Sequence, residues 1–147
     1  MRATRKNDVD LAKQLLANGA DAKAANSMGQ TALMIAAEQG STQMVEILLP
    51  GSDAKASTKS GYTALIYAAE SGSNKMVEIL LPKSDAKATQ TNGYTALMMA
   101  AAYGDLKSVE LLLPQSDLKA TTKFKNTALD LFKKRCQRIV KLFKQYK

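Results

Sequence analysis

Residues 29–40 read Gly-Gln-Thr-Ala-Leu-Met-Ile-Ala-Ala-Glu-Gln-Gly, and this stretch returns twice with few changes. Residues 61–72 read Gly-Tyr-Thr-Ala-Leu-Ile-Tyr-Ala-Ala-Glu-Ser-Gly, and residues 93–104 read Gly-Tyr-Thr-Ala-Leu-Met-Met-Ala-Ala-Ala-Tyr-Gly. The Thr-Ala-Leu triplet occurs a fourth time at Thr127, so successive copies are 32 residues apart. A fixed period of this size is the signature of a repeat architecture, in which neighbouring units stabilise one another.

Each period contains two helix patterns separated by a glycine. Thr31 can cap the first helix, and Gly40 supplies the left-handed backbone that ends it. Ser41 or Thr42 can cap the second helix, which Pro50 stops. The polar segment before the next glycine is typical of a hairpin-like turn. The period therefore predicts helix, turn, helix and loop.

These motifs carry a family resemblance. Gly-x-Thr-Ala-Leu-x-x-Ala-Ala-x-x-Gly, followed by Val-Glu-x-Leu-Leu, resembles the ankyrin repeat over nearly the whole chain. The resemblance implies an all-α fold, an ankyrin-type helical repeat solenoid of helix-turn-helix pairs with hairpin-like loops. Two departures stand out: the period is 32 rather than about 33, and Met or Ile replaces the family's His after Thr-x-Leu. The predicted units are a partial repeat at 1–25, full repeats at 26–57, 58–89 and 90–121, and a basic capping repeat at 122–147.

The two ends of the array differ from its middle. Arg2–Lys6 is only a stub where a first helix belongs, so this end is expected to be imperfectly capped. Stacking on a second copy is therefore an open alternative to the monomer that we expect. At the other end Lys125 replaces the repeated glycine, and charged residues are expected to keep the outer face of the last repeat soluble.

The charge is concentrated at the C-terminal end. Of 21 basic and 13 acidic residues, residues 1–121 hold 12 of each, so the formal net charge of +8 belongs to residues 122–147. A uniformly basic surface, typical of a nucleic-acid binder, is not predicted. The basic residues favour a capping helix, and capture of nucleic acid or of an anionic membrane remains the alternative. That alternative would use Lys133, Lys134, Arg135 and Arg138.

The residue inventory excludes several kinds of chemistry. The chain has no histidine and a single cysteine, Cys136, which excludes His-based triads, an intrachain disulfide and a Cys-rich zinc site. We therefore expect no enzyme, no cofactor and no metal. No apolar run approaches the ~18 residues of a membrane span, and the first residues lack the apolar core of a secretory signal. These features predict an intracellular, cytoplasmic protein.

A column of acids alternates with a column of lysines in the loops. Because opposite charges two residues apart would align between stacked repeats, we interpret the alternation as a solvated, salt-bridged edge. The columns are Asp21, Asp53, Asp85 and Asp117, and Lys23, Lys55, Lys87 and Lys119.

The resemblance implies a recognition surface at the hairpin tips, at the residue before each Thr, and at the two residues before each helix-ending Gly. The residues in those positions are Met28, Gln30, Glu38, Gln39, Lys59, Tyr62, Glu70, Ser71, Asn92, Tyr94, Ala102, Tyr103, Phe124, Lys134 and Arg135. The set holds three of the five tyrosines and one of the three phenylalanines. Aromatic side chains, tyrosine above all, give a large contact area at a small entropic cost, as at binding hot spots.

The function expected from this surface is that of a non-catalytic adaptor or scaffold. Another protein would bind the concave face and the hairpin tips of the stack. A purely structural interpretation stays open, in which Tyr62 and Tyr94 only pack along neighbouring hairpins.

Overall fold

The computed structural model describes residues 1–133 and 144–145 of the chain. Helices recur in pairs through the described residues, and the all-α repeat fold predicted from the sequence is confirmed. A single turn of 3-10 helix follows every second helix from the fourth onward, at Leu49–Gly51, Leu81–Lys83 and Leu113–Gln115. The unit boundaries stay a prediction. The α-helices are α1 (Arg2–Arg5), α2 (Val9–Ala17), α3 (Ala32–Glu38), α4 (Thr42–Leu48), α5 (Ala64–Glu70), α6 (Asn74–Leu80), α7 (Ala96–Tyr103), α8 (Leu106–Leu112) and α9 (Ala128–Phe132).

A threonine starts each of the inner helices α3, α5, α7 and α9. Its backbone is extended, and its hydroxyl accepts a hydrogen bond from the backbone N–H three residues later. The cap satisfies one of the amides that a helix leaves unpaired at its start. The four donor–acceptor distances lie between 3.2 and 3.4 Å, at Thr31, Thr63, Thr95 and Thr127.

The predicted cap of the second helix in each pair is wrong for α4. Ser41 occupies the N-cap position without a capping hydrogen bond from its side chain. Its hydroxyl instead donates to Oδ1 of Asn7 at 2.6 Å, which ties the second repeat to the first. Aspartates cap two of the outer helices. Asp8 before α2 accepts from the backbone N–H of Leu11 at 3.0 Å, and Asp105 before α8 accepts from that of Ser108 at 3.3 Å.

The core is one strip that runs along the stack. The inner helices contact one another in chain order, and the outer helices α2, α4, α6 and α8 do the same. Leu33, Leu65 and Leu97 are fully buried. Pairs of fully buried alanines next to them let the inner helices approach closely. Because each repeat shares its apolar surface with its neighbours, no single repeat could bury it alone.

Neighbouring hairpins are joined by backbone hydrogen bonds. The N–H of Lys59 donates to the carbonyl of Met28 at 3.0 Å, and the N–H of Lys123 donates to that of Asn92 at 2.7 Å. Between them, the N–H of Thr91 donates to the Ser60 carbonyl at 2.9 Å. This ladder holds the hairpin tips in a row along one edge of the stack.

The expected salt-bridged edge is wrong. Each aspartate of the loop column accepts a hydrogen bond from the backbone N–H two residues later, at 2.8–2.9 Å, and so closes a local turn. The two ion pairs of the described residues lie elsewhere, Lys75 with Glu46 at 3.9 Å and Lys133 with Asp130 at 3.5 Å. The aspartates therefore shape the loops, and the lysines next to them are solvated.

The N-terminal stub is a helix, contrary to the sequence expectation. Residues Arg2–Arg5 form the single turn of α1, and Ala3 and Thr4 are buried. Small side chains allow this short helix to contact both α2 and α3. The end is nevertheless less covered than the middle, because Leu11 and Leu15 on α2 are 38% and 43% exposed.

Candidate protein-binding face

The hairpin tips and the adjoining solvent-facing sides of α3, α5 and α7 form a surface that we call the hairpin face. One polar residue per repeat shapes each hairpin by accepting hydrogen bonds from backbone N–H groups further along the turn. Asn26 accepts from Met28 and Gln30, and Thr122 accepts from Phe124 and Asn126, at 3.0–3.3 Å. The tips are thus held in defined positions before any partner arrives, which lowers the entropic cost of binding.

The structure places the predicted recognition residues at three depths. Gln30 is buried, and Lys134 and Arg135 lie outside the described residues. Half-buried residues of the set are Tyr62, Glu70, Tyr94 and Ala102. Exposed residues of the set are Met28, Glu38, Gln39, Lys59, Ser71, Asn92, Tyr103 and Phe124.

Gln30 is a correction to the predicted set. Its side chain is only 8% exposed, so a partner could touch little of it. Its Nε2 donates to Oε2 of Glu38 at 3.0 Å, and its Oε1 accepts from Nδ2 of Asn26 at 3.3 Å. A further hydrogen bond joins Gln30 to the hydroxyl of Tyr67. Gln30 therefore holds side chains of this face in place.

An aromatic cleft opens between the first two complete hairpins. Tyr62 and Tyr67 stack with their ring centroids 4.9 Å apart and an interplanar angle of 29°. Together with Met28 and Lys59 from the hairpin tips, they line a cleft of about 370 Å³. Sequence reasoning did not predict Tyr67, because the same helix position in the flanking repeats holds apolar residues. A polar hydroxyl at a repeat position that is otherwise apolar was the feature from which Tyr67 could have been predicted.

Two carboxylates act on the stacked tyrosines. Burial raises the pKa of Tyr67, the nearby Glu38 and Glu70 raise it further, and the Gln30 hydrogen bond opposes them. Burial also raises the pKa of Tyr62, with added contributions from Glu70 and Tyr103. Both phenols are therefore neutral at physiological pH, beside a negative potential.

Large apolar side chains are exposed on the hairpin face. Met28, Tyr103 and Phe124 are 57%, 57% and 69% exposed. Met28 lines the cleft with the stacked pair, and Tyr103 contributes to the raised pKa of Tyr62. Exposed apolar groups of this size on one face are a feature of protein interaction sites.

Comparison with known families decides what kind of array this is. A family model described as ankyrin repeats (3 copies) matches residues 1–92, and one described as ankyrin repeats (many copies) matches residues 84–132. The chain belongs to the ankyrin repeat family. Ankyrin repeats are generally protein–protein interaction modules and typically non-catalytic. A search of curated proteins finds no match.

The basic cluster falls almost wholly outside the described part of this ankyrin array. Lys134, Arg135 and Arg138 lie outside the described residues, as does Cys136. Lys133 is described, is exposed, and pairs with Asp130. The alternative of nucleic-acid or membrane capture through this cluster gains no support from these residues.

The described part of the ankyrin array contains neither a metal-binding cluster nor a membrane-spanning helix. Residues 1–133 and 144–145 contain no group of three His, Cys, Asp or Glu side chains placed to hold a metal ion. In the same residues, no helix combines the length and the apolar character needed to cross a bilayer.

Proposed function

We propose that this protein is a non-catalytic adaptor or scaffold that binds a partner protein through its hairpin face. The observation that carries the proposal is the exposure of Met28, Tyr103 and Phe124 beside the half-buried tyrosines. An intrachain role would have covered these side chains, because burying a Met or an aromatic residue stabilises a protein by roughly 1.5–3 kcal/mol. Because these side chains are exposed, a partner that buries them would gain this stabilisation.

The hairpin ladder supports the same proposal. Because backbone hydrogen bonds hold successive tips in register, the exposed side chains belong to one rigid surface. A rigid surface with aromatic anchors and charged neighbours has the composition of a binding hot spot. Glu38, Glu70, Ser71 and Asn92 would form the polar surroundings of those anchors.

A site-specific crosslinking experiment tests the proposal. A photoreactive amino acid replaces Phe124 in one variant and Lys107, on the outer helix α8, in the other. We expect the first variant to capture a partner protein from cells and the second to leave it free. The affinity of that partner is then measured with purified protein by calorimetry.

Matched substitutions complete the test. Replacing Tyr103 and Phe124 by Ser removes two exposed apolar groups from the hairpin face and should weaken the captured partner's affinity at least about 30-fold, roughly 2 kcal/mol. Replacing Leu11 and Leu15 by Ser removes two exposed apolar groups from α2 and should leave the affinity unchanged. Equal losses in both double variants would refute the hairpin face as the binding surface.

Self-association is the second candidate, favoured by the exposure of Leu11 and Leu15 on α2. Two copies could meet through this incompletely covered end of the stack. Light scattering after size exclusion gives the mass directly. A dimer in the parent chain that becomes a monomer in the Leu11→Ser/Leu15→Ser variant would establish this role, and a concentration-independent monomer would exclude it.

A further inference from the structure

The Tyr62–Tyr67 cleft has the chemistry of a cation site. Two stacked phenol rings form one wall, and each ring carries negative electrostatic potential on its face. A cation over such a ring, within about 6 Å of its centroid, is attracted to that potential. The cleft, about 370 Å³ in volume, has room for an extended side chain and the peptide that bears it.

Carboxylates reinforce this potential. Glu38 is oriented by its 3.0 Å hydrogen bond from Gln30, and Gln30 also lines the cleft. Glu70 interacts electrostatically with both rings, and Glu38 does so with Tyr67. Neither glutamate belongs to the two ion pairs found within the described residues. Glu38 thus lies next to a residue of the cleft wall, and Glu70 adds to the negative potential at both rings.

We propose that the cleft binds an arginine side chain of the partner protein. The guanidinium would stack on the tyrosine pair and pair with Glu38 and Glu70. Arginine fits better than lysine because its planar group can stack on a ring and hydrogen-bond to a carboxylate at the same time. The inference rests on the proposed function, since it assigns part of the partner's chemistry at the hairpin face.

Lys59 allows a test in which removing a charge should strengthen binding. It lies at the tip of the second complete hairpin, is exposed, and lines the same cleft. A like charge at the mouth opposes entry of a cation. Removing this charge should therefore strengthen binding, whereas removing either carboxylate should weaken it.

Peptide pools of mixed sequence with one fixed central residue provide the probe. The fixed residue is arginine, lysine or citrulline, which keeps the shape of arginine without its charge. Fluorescence anisotropy with the whole chain should show the arginine pool binding at least about tenfold more tightly than the citrulline pool. The lysine pool should fall between them.

Three charge variants locate that preference. Glu38→Gln and Glu70→Gln should each reduce binding of the arginine pool about five- to tenfold and leave the citrulline pool unchanged. Lys59→Gln should increase binding of the arginine pool two- to threefold. Equal binding of the arginine and citrulline pools, or no binding of either, would overturn the proposal.

A titration of the tyrosines shows whether each variant keeps the geometry. Because Glu38 and Glu70 raise the pKa of Tyr67, either Gln variant should lower its ionisation midpoint while circular dichroism stays that of the parent. An unchanged midpoint would mean that the carboxylate is not at the ring, and would overturn the proposal too.

The outcomes separate this inference from the proposed function. If the Phe124 crosslink captures a partner whose binding depends on Tyr103 but the peptide pools show no arginine preference, the hairpin face binds proteins and the arginine site is wrong. If the crosslink captures nothing specific, the proposed function itself fails.

Discussion

The fifth helix and the ninth start alike and then differ in how deeply their next side chains are buried. Leu65 on α5 is fully buried, whereas Leu129, its equivalent on α9, is half-buried. Ile66 is buried, whereas its equivalent Asp130 is exposed. The threonine cap is common to both helices because it answers a local need, the unpaired amides of the first turn. The burial of the following side chains depends on the repeat packed against them.

The hairpin glycines also differ between the middle of the stack and its C-terminal repeat. Gly61 has φ +77°, and a Cβ placed there would lie 2.7 Å from the carbonyl oxygen of Thr89 in the next hairpin. Lys125 occupies the equivalent position with φ +60°. Backbone conformation alone therefore tolerates a side chain at this turn. Glycine is required in the middle of the stack because the next hairpin approaches so closely.

The largest expected effect is on the shared core. Leu65→Ala should lower the free energy of unfolding by about 4 kcal/mol, because repeats on both sides hold the cavity open. Leu129→Ala should cost about 1 kcal/mol, because that side chain is already partly in water. Urea unfolding followed by circular dichroism measures both. Equal losses would mean that the end of the stack is as well packed as its middle.

The second prediction separates conformation from contact. Gly61→Ala should cost about 3 kcal/mol, the sum of a left-handed alanine and a clash with the next hairpin. Gly72→Ala is the control, because Gly72 has φ +70° and nothing within 4 Å of an added Cβ. It should cost only about 1 kcal/mol. If the two variants unfold at the same urea concentration, close approach of the hairpins is not what requires glycine.

The third prediction reverses the substitution at the end of the array. Lys125→Gly should relieve the left-handed strain and give the unfolded chain more freedom, so the two effects nearly cancel. We expect a change within about 1 kcal/mol of either sign. Chemical denaturation of this single variant is sufficient, and a loss of stability as large as that of Gly61→Ala would show that the lysine side chain makes contacts of its own.

The parts of the fold that follow from local chemistry could be predicted from the sequence. The threonine caps and the glycine turns need only a few consecutive residues, and the structure confirms them. The cap predicted at Ser41 is absent, as it is at the equivalent Ser73, so a serine before a helix does not by itself specify a capping hydrogen bond.

The candidate site was harder to predict because its contacts depend on particular side chains that the repeat pattern does not specify. Gln30 occupies a column that holds half-buried residues in the other repeats, and it is buried because Asn26, Glu38 and Tyr67 surround its amide. Tyr67 shares a column with Ile35 and Met99, which are buried. Only the stack with Tyr62 brings its ring to the cleft. Tyr67 also meets Gln30 and Glu38 of the preceding repeat, and the pattern within one repeat does not reveal that meeting.

The smallest expected effect concerns the polar start of α9. Hydrogen bonds from the Thr127 side chain and then its backbone N–H lower the pKa of the Asp130 carboxyl below its ordinary value. A carboxyl with a lowered pKa in the folded state stabilises the fold above its unfolded pKa, and this stability is lost as the pH falls through the lowered value. Asp130→Asn, which resembles the protonated acid, should therefore lower the melting temperature at neutral pH.

The difference between Asp130→Asn and the parent should vanish once the pH falls below the lowered pKa of the carboxyl, where the parent is itself protonated. Thermal unfolding followed by circular dichroism across this pH range provides the measurement. In a Thr127→Ala background the same substitution should have less effect, because one of the two hydrogen bonds is already gone. If the difference in melting temperature did not change with pH, the effect of Asp130→Asn would come from the shape of the side chain and not from its charge. Since buried Met34, Ile66 and Met98 occupy this position in the middle repeats, a charge effect at Asp130 would show that the last inner helix replaces an apolar neighbour with an electrostatic cap.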